Sequence, residues 1–333
     1  MKGKYVCWIV TGLLILFTTV SCRTRPDYNA ALETLEEAAA RAAAARQLAL
    51  DFDGPVLFPS EWDAADSLYA YAEEQRTTEP YVEIRQSAER YTIAAEALEA
   101  LAARAIAQSF ENMERDLVSA RAAAVNAGAP ARSPDFLLQA DNAVYSAREL
   151  YEAGDFHAAR DASVNALAMY GAIETGLRAL SVREQVQEIA EAVVPGLFSQ
   201  ADTVARDALA RWDAGDFPGA RAGAAMALVL YSRTGATAER QRALDIRANV
   251  AARQEFDSAQ SLYTRADTAY RAQSMDEAGA LFVQSAPLFG AAARLAYERQ
   301  LIAEEALRLA NERMAESDEI AREAERILEG GGI

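Results

Sequence analysis

His157 is the single histidine of a 333-residue chain. It stands two residues after Asp155 in "LYEAGDFHAARDASVNALAMY", residues 150–170. An imidazole beside a carboxylate is the raw material of acid–base or metal chemistry. The stretch recurs as "RWDAGDFPGARAGAAMALVLY", residues 211–231, where Asp216 keeps the carboxylate and Pro218 replaces the histidine. A site whose base is dispensable is no site, so His157 reads as an exposed first-turn residue. The only cysteines are Cys7 and Cys22, and no His/Cys cluster offers metal ligands. No glycine-rich phosphate loop follows a strand pattern, and the terminal "EGGGI" reads as a flexible tail over 330–333. Carboxylates are plentiful, as in "NERMAESDEIAREAER", and a buried pair with separated pKa values would act as acid and base. Here they alternate with arginine and alanine, the pattern of a solvated helix face laced by i,i+4 pairs. The expectation is no catalytic residue, no metal, no cofactor and no enzyme.

Cys22 has a different chemistry. "MKGKYVCWIVTGLLILFTTVSC" carries two lysines, an apolar run from Val6 to Phe17, then small residues ending in cysteine. That is the order of a secretory signal, and the run is short for a spanning helix. The segment "TVSC" resembles the lipobox of bacterial lipoproteins, with Thr19 where that family usually has leucine. The resemblance implies cleavage after residue 21, lipidation of Cys22 as the new N-terminus, and a linker over 22–27. An ordinary secretory signal or an uncleaved anchor are the alternatives. With Cys7 in the discarded leader, no disulfide remains. The acyl chains would hold the protein on the periplasmic face or outer membrane, anchored to a bilayer and not through it.

The elements behind these residues are helical. Just over half the residues are apolar but aromatics are only 8%, and alanine dominates, which favours close-packed helices over sheet. The net charge is −17, and Lys2 and Lys4 are the only lysines. Removing a leader with both leaves 31 arginines against 50 acids, net −19, which excludes a nucleic-acid partner. The arginines look scattered, so their abundance reads as codon usage rather than as a set of bidentate pairs.

A leading helix is expected from about Tyr28 to Leu50, then a loop "DFDGPVLFPS" with Ser60 capping the next helix. "NAGAPARSP" and "VVPG" are further breaks, with Ser133 as a cap before Pro134. Shifting residues 136–170 by 61 superposes Asp141, Gly154, Asp155, Phe156, Arg160 and Tyr170 on Asp202, Gly215, Asp216, Phe217, Arg221 and Tyr231. A further 58 reaches a weaker copy with Tyr270, Ser274, Met275 and Phe289, and moving back 75 places Tyr81 and Arg85 after "TTEP", where Thr78 would cap. Each copy reads as helix, tight turn, helix. Gly154 and Gly215 would adopt the left-handed conformation that stops one helix, and Asp155 and Asp216 would cap the next. Ser274 with Glu277 would form a capping box. The pairs are expected over 60–126, 133–193, 197–253 and 255–327, within a repeat domain over 28–329. Between Pro218 and Tyr270 no further proline occurs, so one helix would lead directly into the next pair.

"YEAGDFHAARDASVNAL" resembles the centre of a tetratricopeptide repeat, with Ala159, Ala220 and Ala278 at the small position of the helix crossing. That family repeats every 34 residues, so periods of 61 and 58 imply overlong second helices, one running from Phe156 to about Val193. The fold expected is therefore an all-α, elongated array of about four helix-turn-helix pairs. With its lipoprotein start, the chain is similar to spirochaetal envelope lipoproteins of the treponemal membrane protein A type, antigens without an assigned reaction. Tyr151, Trp212 and Tyr270, like Tyr170, Tyr231 and Phe289, recur at equivalent positions, which favours packing over a ligand-binding stripe. Tyr145 and Tyr263 break the register on first helices and are the candidates for a partner surface. Leu295 to Leu328 has a coiled-coil spacing, but alanines weaken the seam. The function these readings imply is a membrane-anchored scaffold or adaptor for envelope proteins. A solute-binding accessory subunit of a transporter and a spacer between membrane and cell wall are the alternatives.

Overall fold

The computed structural model describes residues 27–330; the expected leader, Cys22 and the last three residues of the expected tail lie outside them. The described residues are helical throughout, joined by short turns, as the composition predicts. The chain forms two compact units divided after Arg115.

The first unit contains α1 (Tyr28–Asp51), α2 (Gly54–Leu57), α3 (Pro59–Glu74) and the first part of α4 (Tyr81–Asn126). Leu35 and Ala42 of α1 pack with Ile84, Tyr91 and Ala95 of α4, and Tyr69 of α3 closes over them. The Tyr91 hydroxyl donates to Glu73 at 2.7 Å, and burial beside that carboxylate pushes its pKa up to about 12. Thr78 does not cap α4. Pro80 takes that position, its carbonyl accepting from Glu83 and Ile84, while the Thr78 carbonyl accepts from the Tyr28 hydroxyl at 2.5 Å.

The second unit holds the rest of α4, then α5 (Ala129–Arg132), α6 (Pro134–Glu152), α7 (Phe156–Val193), α8 (Pro195–Asp213), α9 (Phe217–Asp245), α10 (Ala248–Ala251), α11 (Arg253–Arg271) and α12 (Met275–Gly330). First helices α6, α8 and α11 have 19 residues each, while second helices α7, α9 and α12 have 38, 29 and 56. The excess over an ordinary repeat does lie in the second helices. Helix α9 packs on α7, α8 and α12, and alanine is the commonest contact residue, which lets the axes approach closely.

The turns inside the pairs show why one dipeptide suffices. Gly154 and Gly215 have φ of 82° and 78°, conformations that cost glycine nothing. Asp155 and Gly154 donate back to Leu150 and Tyr151, and Asp216 and Gly215 to Arg211 and Trp212, closing the same two-bond helix stop twice. Asp155 Oδ1 then accepts from Ala158 N–H and Asp216 Oδ1 from Gly219 N–H. In the weaker copy Gln273 takes φ 62°, and Ser274 donates to Ala269. That bond uses the N–H that the expected capping box would have given to Glu277, so the box is corrected.

The joints between pairs repeat as closely. Phe58, Ser133, Val194 and Ala252 precede the four first helices with φ, ψ of −138°, 62°; −149°, 54°; −137°, 53° and −133°, 49°. Their spacings are the 75, 61 and 58 residues of the sequence repeat. Pro59, Pro134 and Pro195 fill the first helical position, so Ser60 lies inside α3 and does not cap it. Ser133 is at the cap position, but its side chain makes no cap hydrogen bond. Three joints also carry a left-handed residue, Asp53, Gly128 or Arg247, before a four-residue helix. The third of these overturns the expected continuous helix: α9 stops at Asp245. Nothing in "ALDIRANVAAR" breaks a helix locally. Arg247 is held at φ 58° because Ala243, Ala248 and Ala252 bury against Phe256 and Phe289, and Arg299 caps the Ala251 carbonyl.

Candidate functional site

An arginine clamp recurs across the joints. Arg46, Arg121 and Arg183, near the ends of long helices, reach Asp66, Asp141 and Asp202 on the following first helices, 20, 20 and 19 residues on. Arg121 and Arg183 are bidentate, with bonds of 2.8 and 2.9 Å and of 2.7 and 3.1 Å. In the fourth copy Arg240 Nε donates to Gln260 at 2.6 Å. Arg46, Arg121 and Arg240, which look scattered in sequence, therefore fall on the repeat spacings and Arg183 one residue past them, and a fork matched to a planar carboxylate explains arginine there.

Two clamps carry a third member. Tyr170 donates to Asp141 at 2.5 Å and Tyr231 to Asp202 at 2.6 Å. Burial, then the hydrogen bond to the carboxylate, pushes both phenols well above the usual range. The arginine hydrogen bonds hold both carboxyls below theirs. A carboxylate saturated by a guanidinium and a phenol has no proton to give and little basicity to offer. These triads are fasteners. The fourth copy changes both partners at once, Gln260 for the carboxylate and Phe289 for the phenol.

Beneath Arg183 the second unit has a cavity of about 450 Å³, within the usual range of ligand sites. Its apolar walls include Leu177 of α7, Leu209 and Trp212 of α8 and Phe136 of α6, with the Phe136 and Trp212 rings 4.8 Å apart. Arg132, Ser133, Arg183, Asp202, Arg206 and Tyr231 supply the polar lining. Arg132 pairs with Glu184 and Arg183 with Asp202, so this lining gathers at one turn of α7. Ser133 Oγ is buried without a hydrogen-bond partner.

No protein family, curated protein or solved structure matches the chain. Its function must be argued from its own residues.

Of the two tyrosines singled out for a partner surface, the structure leaves one on the surface. Tyr145 is 68% exposed on α6. Tyr263 is half-buried: its ring lies 5.4 Å from Phe282 and 6.1 Å from Phe289, and its hydroxyl is 2.9 Å from Thr237 Oγ1. Because Thr237 spends its proton on the Arg233 carbonyl, Tyr263 is the donor. Tyr263 also keeps the register, since the repeat spacings place it opposite Tyr69 of the first copy, and Arg46 and Arg240 cover these two rings at 5.5 and 5.7 Å. It is a packing residue. His157 is exposed in the first turn of α7, and Gly154, Asp155, Gly215, Asp216 and Ser274 are spent in turns. Neither the cavity nor the arginine register was read from the sequence; the 75-residue shift that finds Arg46 from Arg121 was the available signal.

Among the described residues no His, Cys, Asp or Glu group is arranged to hold a metal, and no helix is long and apolar enough to cross a membrane.

Proposed function

We propose that this chain is a non-enzymatic scaffold or adaptor of the cell envelope, lipid-anchored through Cys22 at the periplasmic face or outer membrane, whose first helices hold a protein partner. The observation that carries the reading is Tyr145. It stands 68% exposed, with Leu138 59% exposed two turns earlier on the same face of α6, while Tyr170, Tyr231 and Phe289 are buried. Large apolar groups left in water on a rigid helix are the usual anchors of a protein contact. The resemblance to tetratricopeptide arrays, which use helix faces for peptides, and to spirochaetal envelope lipoproteins supports the same reading. The acidic surface argues against nucleic acid as the partner.

The test is a photo-crosslinking residue at Tyr145 in living cells, with the same residue at exposed Val250 as control. One defined protein adduct specific to position 145 supports the proposal, and its absence overturns it. For the anchor, Cys22→Ala is expected to move the protein out of the membrane fraction. Unchanged retention would refute lipidation. A second reading, a solute-binding accessory subunit of a transporter, is favoured by the cavity beneath Arg183.

A further inference from the structure

The cavity exists because one copy of the repeat omits a side chain. Tyr69 and Tyr263 lie under Arg46 and Arg240 in the first and fourth copies; the repeat spacings place Ala205 at the same position in the third, under Arg183. Ala205 lines the cavity, and on the facing helix Gly176 lines it too. A Cβ added to Gly176 would meet no heavy atom within 4 Å. Space that two other copies fill with an aromatic ring is here left open, between walls that are otherwise well packed.

The cavity is also asymmetric. Trp212 lies ten residues along α8 from Asp202, a run of about 15 Å. At the Asp202 end are three arginines, Arg132, Arg183 and Arg206, against two carboxylates, Glu184 and Asp202, which leaves one positive charge in a chain of net −17. Arg206 makes none of the close ion pairs among the described residues, although its charge helps to hold the Asp202 carboxyl low; its guanidinium donates to the Asp202 carbonyl at 3.3 Å and to Thr203 Oγ1 at 3.1 Å, both neutral acceptors. The buried Ser133 hydroxyl, next to Arg132 in the cavity lining, lacks a partner.

We propose that this cavity binds an amphiphile with one apolar chain and one anionic head, a fatty acid or a molecule of that chemistry. The chain lies between Leu177, Leu209 and Trp212. The head meets Arg206, and the Ser133 hydroxyl, next to Arg132, is a further hydrogen-bond donor. This deepens the solute-binding reading and is independent of a protein partner at Tyr145.

The test uses the full chain and two probes of equal length, dodecanoate and the neutral dodecanol, followed by calorimetric titration. Saturable binding of dodecanoate at one site is expected. Gly176→Phe and Ala205→Tyr, the second restoring the ring used in the other copies, are each expected to weaken both probes at least tenfold without lowering the melting temperature. Exposed Arg206→Gln is expected to weaken dodecanoate at least fivefold and leave dodecanol unchanged. Dodecanoate binding that survives both filling variants, or an Arg206→Gln variant that binds both probes as the parent does, overturns the proposal. Native mass spectrometry separates the two levels of failure. A different small molecule that co-purifies with the parent and is lost from Ala205→Tyr refutes the anionic amphiphile but keeps the solute-binding reading. No saturable binding of either probe and no co-purifying molecule refutes both.

Discussion

Tyr231 donates to Asp202 across 29 residues of chain, and 29 residues also separate Phe289 from Gln260, the pair at the equivalent place in the next copy. Acceptor and donor have changed together, and the arginine facing them, Arg183 or Arg240, has stayed. The chain thus contains its own double substitution. A phenol is kept where a carboxylate accepts its proton and dropped where the acceptor is an amide, Gln260, whose oxygen accepts from Arg240 and whose NH2 donates to Thr264 Oγ1.

A double-mutant cycle at the third copy follows from that pairing. Tyr231→Phe alone is expected to destabilise by about 1 kcal/mol, and Asp202→Ala by about 2 kcal/mol, because it strands both Arg183 and the buried hydroxyl. In an Asp202→Gln background, Tyr231→Phe is expected to cost almost nothing, a coupling of about 1 kcal/mol. Urea denaturation midpoints at constant slope measure each corner. Strict additivity would refute the claim that the pair acts as a unit.

The same triads set limits on pH. Asp141 and Asp202 are held below their unfolded pKa, so their contribution is complete above about pH 4 and is lost as pH falls toward the folded value. Tyr170 and Tyr231 are raised, so theirs is complete below about pH 10 and is lost as pH rises. Melting temperature is therefore expected to be flat between those limits and to fall on both sides. An Asp141→Asn, Asp202→Asn variant should have a shallower acid limb, and Tyr170→Phe with Tyr231→Phe a shallower alkaline one.

The sequence makes the turns legible because their chemistry is local. A glycine that must take positive φ, followed by an aspartate that caps, announces itself at Gly154–Asp155 and Gly215–Asp216, and the long α7 follows from the distance between copies. The break after Asp245 is hidden because helix-favouring residues are overridden by the burial of Ala248 and Ala252 against Phe256 and Phe289. The packing role of Tyr263 is hidden for a related reason. Its register partner is Tyr69, in the copy whose 75-residue spacing makes it hardest to align, and with the two middle copies carrying Val144 and Ala205 the position looked unrepeated. The cavity is least legible of all, since it is marked only by a missing side chain.

Among the described residues three other than glycine hold positive φ, and two of them provide a test of what turn chemistry costs. Gln273→Gly and Arg247→Gly, at φ 62° and 58°, are expected to stabilise by about 0.5–1 kcal/mol each, since relief of left-handed strain exceeds the added freedom of the unfolded chain. Gly154→Ala and Gly215→Ala, at 82° and 78°, are expected to destabilise by about 1 kcal/mol or more. Asp155→Ala and Asp216→Ala each lose a cap worth about 1 kcal/mol and leave the Tyr145 crosslink intact in the folded fraction. Thermal melts of the six variants check the ordering.

Tyr145 and Tyr263 should separate surface from packing in one comparison. Tyr145→Ala removes a ring that is 68% in water, and a stability change below about 0.5 kcal/mol is expected, with the partner adduct lost. Tyr263→Ala removes a ring wedged against Phe282 and Phe289 and leaves Thr237 without its donor, so a loss of about 3 kcal/mol is expected. Tyr263→Phe keeps the ring and sacrifices only the hydroxyl, for about 1 kcal/mol. Partner binding should follow the reverse order, with folded Tyr263→Phe binding as the parent does and Tyr145→Ala failing. If Tyr263→Phe loses the partner while its fold holds, the binding face lies on α11 and not on α6.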